Sequence, residues 1–162
     1  VEAVLCLQIE PAYSLLLSWM FLGHRPTLRR VLAIGVLLLG ITLAVEGEFA
    51  EAERVLREAV AMPETGTYTR ATLAYCLARS GQAAEARLIL RTLEAQLAAG
   101  YVSPVAFATV HLGLGDVERA LDWAEAAYTQ RRGWLCYLRV NPLMDPMRGN
   151  ARFDALVAKM RL

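Results

Sequence analysis

Histidine, cysteine and serine are the side chains that most often carry reactions, and this sequence spreads them thinly. His24 and His111 stand 87 residues apart, Cys6, Cys76 and Cys136 form no Cys-x-x-Cys pair, and Ser14, Ser18, Ser80 and Ser103 have no histidine beside them. Such spacing supports neither a nucleophile activated by a base nor a zinc centre or disulfide framework. The sequence has no Gly-rich phosphate loop and no His-Glu-x-x-His pair. Glu51 and Glu53 are two residues apart, which on a helix points them away from each other. The expectation is a chain with no catalytic residues, no cofactor and no metal, its cysteines buried as free thiols.

Glu10 is the exception. It lies in an apolar stretch and is followed by Pro11, which removes one helical hydrogen bond and frees a carbonyl. An ionisable group inside a membrane run is a candidate site. Residues 1–22 carry no Lys or Arg. A basic connection through Arg25, Arg29 and Arg30 follows, then Val31 to Val45 with Thr42 as its one polar member. Fifteen helical residues span about 22 Å against a bilayer core of about 30 Å, and Leu28 with snorkelling arginines could extend them. The pattern predicts two membrane helices over 1–45.

Composition is uneven in the same way. The chain has 162 residues, 56% of them apolar, with mean hydropathy +0.35 and net charge +1, and most of the apolar excess lies before Val45. From Glu46 onward 14 Lys and Arg balance 14 Asp and Glu. No basic surface advertises nucleic acid.

Beyond Val45 the organising feature is a period. Gly47, Gly81 and Gly115 are separated by 34 residues, and so are Ala52, Ala86 and Ala120. Each glycine falls between two apolar helical runs, where a helix-ending residue with positive φ is wanted. The alanine that follows lets two helix backbones approach closely. A fixed period of this length indicates stacked helical hairpins, each too small to bury a core alone. The hairpins turn at Gly47, at Ser80-Gly81 and at Gly115-Asp116. Asn141-Pro142 and Pro146 end the period, and Phe153, Leu156, Val157 and Met160 mark a last amphipathic helix from Ala151 that covers the open end. Counting back by 34 from Ala74 reaches Gly40, so the second apolar run also fits the first helix of a hairpin.

With Phe49, Ala74 and Ala108 at their register positions, this segment resembles the tetratricopeptide repeat. The resemblance implies an interaction module whose first helices line a concave face. Its outward positions map to Tyr68, Thr72, Tyr75, Arg79, Val102 and Thr109, and His111 falls where the repeat usually has an inward aromatic residue. Residues 1–45, through Glu10-Pro11, Gly23, Pro26-Thr27, Gly35 and Gly40, resemble the last helix pair of the EamA-type drug/metabolite transporters, which would make Glu10 and Pro11 transport-related. The ending from Trp134 resembles the tail of tetratricopeptide regions in bacterial signalling proteins.

The sequence therefore predicts an all-α chain: a transmembrane hairpin at 1–45, a right-handed helical-hairpin solenoid at 46–132 and capping helices at 133–162. Its expected role is to bind a protein or peptide while tethered at a bacterial inner membrane, with the repeats in the cytoplasm. The alternatives are a partial carrier with an appended array and an array with no membrane contact.

Overall fold

The computed structural model describes residues 28–62, 66–131, 135, 138–139 and 141–160. They form seven α-helices and one 3-10 segment, with no strand among the described residues: α1 (Leu28–Glu46), α2 (Phe49–Val60), α3 (Thr67–Arg79), α4 (Ala83–Ala99), α5 (Pro104–Gly113), α6 (Val117–Thr129), the 3-10 turn Pro142–Met147 and α7 (Ala151–Met160). Helices α1 and α2, α3 and α4, and α5 and α6 pair as three hairpins.

The three turns are built alike. Gly47, Gly81 and Gly115 have φ of 86°, 88° and 79°, a left-handed conformation that costs other residues about 1–2 kcal/mol. The next amide, on Glu48, Gln82 or Asp116, donates back to Leu43, Leu77 or His111 at 2.9, 2.7 and 2.9 Å, satisfying a carbonyl at the helix end. Asp116 also caps α6, its carboxylate accepting from the Arg119 amide at 3.2 Å.

Packing follows the small residues. Ala52, Ala86 and Ala120 retain no exposure. Around them one continuous core runs from Ala44 through Leu56, Leu77, Leu93, Phe107 and Leu121 to Met144, Met147 and Leu156. Phe107 of α5 stacks on Trp123 of α6 with ring centroids 4.3 Å apart.

Helix α1 corrects the membrane expectation. Among the described residues, no helix is long and apolar enough to cross a membrane. The run from Val31 to Val45 belongs to a hairpin: Gly40 and Ala44 are buried, and a Cβ at Gly40 would come within 2.6 Å of the Leu56 side chain on α2. Leucine and glycine suit a lipid-facing helix and a helix-facing one equally; here α2 covers the face that carries Gly40 and Ala44, while Val31, Leu32 and Leu39 stay exposed. The expected boundary at residue 45 accordingly falls within one hairpin. The first expected membrane helix, with Glu10 and Pro11, lies outside the described residues.

Successive hairpins stack in two ways. Helix α2 packs along α3, whereas the next junction is made chiefly by α3 against α5, and α4 barely touches α5. Beyond α6, the Pro142–Met147 segment folds back onto α5 and α6, burying Leu143, Met144 and Met147. Asn141 starts that segment, its side-chain oxygen accepting from the Leu143 amide at 3.0 Å. Helix α7 closes the end on α6. Arg152 holds it there, reaching Glu118, Asp122 and Glu125 at 2.9, 2.7 and 3.1 Å.

Candidate partner-binding surface

The inner helices α3 and α5 carry five of the six residues expected to face a partner, Val102 standing just ahead of α5, and four of the six are in the interior. Thr72 and Thr109 have no exposure, Val102 2% and Tyr75 6%. Both threonine hydroxyls turn back on their own helices, Thr72 donating to the Tyr68 carbonyl at 3.0 Å and Thr109 to the Val105 carbonyl at 2.9 Å. That is the arrangement of a satisfied buried hydroxyl. The cause is non-local. Helix α3 is covered by α2, α4 and α5, and α5 by α3, α6 and the folded-back Pro142–Met147 segment, so α5 is buried along its whole length. The open inner groove expected from the sequence is closed over these positions.

Tyr68 and Arg79 remain at the surface, the tyrosine half-buried and the arginine exposed. Eleven residues separate them along α3, about 16 Å at the helical rise. Arg79 ends the helix with its guanidinium carbon 5.6 Å from the centre of the Phe49 ring. Phe49 in turn meets the Tyr75 ring edge-on at 6.3 Å. An arginine laid over an aromatic ring keeps its outward N–H groups for a carboxylate or a carbonyl.

Sequence reasoning missed Gly113. A Cβ there would lie 2.6 Å from the Tyr75 Cα, so α5 crosses α3 nearly backbone to backbone. The signal was present, since a glycine inside a helical pattern at the register where the previous hairpin has Arg79 marks a close approach.

The titratable groups in the interior are structural. Burial lowers the pKa of His111 from 6.5, Asp116 opposing and Arg119 adding to the shift. Its Nδ1 has no hydrogen-bond partner and sits 3.7 Å from the Asp116 carboxylate. The Cys76 thiol is pushed up to about 12, by burial and then by the nearby Glu53 charge, which keeps it protonated and unreactive. Among the described residues, no group of His, Cys, Asp and Glu could hold a metal.

The family model described as tetratricopeptide repeat matches residues 24–138. The chain belongs to the tetratricopeptide-repeat family. The matched stretch takes in α1, which places that helix in the repeat array, and nothing in the comparisons supports the likeness of 1–45 to EamA-type carriers. No curated protein and no solved structure matches the chain. Tetratricopeptide arrays are protein-interaction modules, typically without catalysis.

Proposed function

We propose that this tetratricopeptide array is an adaptor that holds a partner protein at the two accessible ends of α3, with Tyr68 and Arg79 as the anchors and no reaction of its own. The supporting observation is the exposed Arg79 stacked on Phe49. Tyrosine and arginine are the residue types that concentrate interface energy, and this arginine is already oriented by a ring beneath it. A photo-crosslinking amino acid placed at Tyr68 or Arg79, with Glu58 on the wet face of α2 as control, tests the reading in cells. Crosslinks to a discrete chain from 68 and 79 but not from 58 are expected. Identical patterns from all three positions would contradict it.

A second reading concerns residues 1–22, apolar and free of Lys and Arg, which support attachment of the array to a membrane by the stretch ahead of α1. Release of the whole chain into the soluble fraction by carbonate would overturn it.

A further inference from the structure

The second helices of the three hairpins can be compared position by position, because the 34-residue step relates Arg54 to Leu88 and Asp122, Arg57 to Arg91 and Glu125, and Glu53 to Arg87 and Leu121. On α2 the outer face neutralises itself. Arg54 pairs with Glu51 and with Glu58 at 3.3 Å, and Arg57 bridges Glu53 at 3.0 Å and Glu85 of the next hairpin at 2.9 Å. On α6 the carboxylates of Glu118, Asp122 and Glu125 are gathered by Arg152. Helix α4 departs from both. Leu88 is 56% exposed where its counterparts are ion-paired, and Arg87 and Arg91 pair with no carboxylate among the described residues. Glu94, one turn beyond, reaches neither. Ala84 and Ala95 are exposed on the same line as Leu88 and Arg91, at the i, i+4, i+7, i+11 spacing of one helix face.

We propose that this outer face of α4 docks an acidic amphipathic helix of a partner protein. The alanines on either side of Leu88 let a second helix come close, and Leu88 supplies the apolar ridge for it. Arg87 and Arg91, one turn apart, match carboxylates one turn apart on the incoming helix, where guanidinium and carboxylate planes pair in two hydrogen bonds. Charge complementarity favours this occupant over a second copy of the chain, which would set Arg91 against a like surface. The surface is separate from Tyr68 and Arg79 and stands or falls independently of them.

The test uses the full chain and a fluorescent synthetic helix of about 20 residues (about 30 Å), with leucines along one face and glutamates flanking them. A matched peptide with lysine in place of glutamate and vesicles of phosphatidylglycerol and phosphatidylcholine serve as the other arms. Anisotropy should show the glutamate peptide binding at least about tenfold tighter than the lysine peptide, an advantage that shrinks as salt is raised. Leu88→Arg, and separately the pair Arg87→Ser with Arg91→Ser, should each weaken it at least about tenfold without moving the melting curve, because these positions are exposed. Arg119→Ala, at an exposed arginine of α6, should leave it unchanged. Equal binding of the two peptides, no binding of either, indifference to the α4 substitutions, binding to the vesicles alone, or a dimer abolished by Leu88→Arg would each overturn the proposal. None of those results bears on crosslinking from 68 and 79.

Discussion

The two junctions between hairpins obey one period and solve different packing problems. At the first, the outer helix α2 lies along α3, and Arg57 reaches across to Glu85 at 2.9 Å. At the second, the inner helices α3 and α5 meet directly, with Gly113 seated on the Tyr75 backbone. A 34-residue repeat thus fixes where each helix starts and turns without fixing which helix faces the next hairpin. One residue decides that here. Its counterpart 34 positions earlier is Arg79, which needs room and takes it at the surface over Phe49. Glycine at 113 needs none and lets α5 close on α3, and that closure removes Thr72, Tyr75 and Thr109 from any groove.

The contrast breaks most directly at Gly113. Alanine gains about 1 kcal/mol in helix propensity over glycine, but its Cβ would sit 2.6 Å from backbone that has nowhere to go. Overpacking of that kind costs about 1–3 kcal/mol, and immovable backbone puts Gly113→Ala at the upper end. A chain of this size loses about 2–4 °C in Tm for each kcal/mol. Calorimetry should therefore find a fall of several degrees, and no loss at all would mean the α3–α5 crossing is looser than described.

What the hairpins share is the turn. Gly81→Ala and Gly115→Ala should cost nearly the same, about 1–2 kcal/mol each, because both positions are left-handed and neither Cβ would meet anything. Unequal costs, read from denaturant midpoints, would show that the turns are not equivalent.

Acid should separate the hairpins further. His111 has its pKa lowered by burial, so the unfolded chain takes up a proton before the folded one does. Its contribution is fully present above the ordinary value of 6.5 and is lost as pH falls below it towards the lowered folded pKa. The second hairpin has Leu77 at this register and lacks the effect. His111→Phe should flatten the stability profile just below that value, and an unchanged profile would assign the acid sensitivity to another group.

Gly40→Ala should do least. Its Cβ would meet the Leu56 side chain, not backbone, and the helix-propensity gain of about 1 kcal/mol offsets much of the repacking. A change under about 1 kcal/mol is expected, and a loss as large as that at Gly113 would erase the distinction between the sites.

The turns and the buried alanines were legible because positive φ and close helix approach demand particular residues at fixed steps. The partner surface was legible only in part. Nothing local to Thr72 or Thr109 announces that α5 and the Pro142–Met147 segment cover them, since those contacts join residues far apart in the chain. The apolar run of α1 fitted two solvents, lipid and protein, and its composition could not choose between them. Leu88 could have been found from sequence alone, as an apolar residue in register with Arg54 and Asp122.

The account depends most on α1 being the first helix of the array, with Gly40 and Ala44 covered by α2. Amide hydrogen exchange on the full chain in buffer without detergent or lipid tests this helix by helix. Protection of the amides around Gly40–Ala44 comparable to that of α2 is the predicted result. Free exchange there in buffer, with protection gained only when vesicles are added, would contradict it.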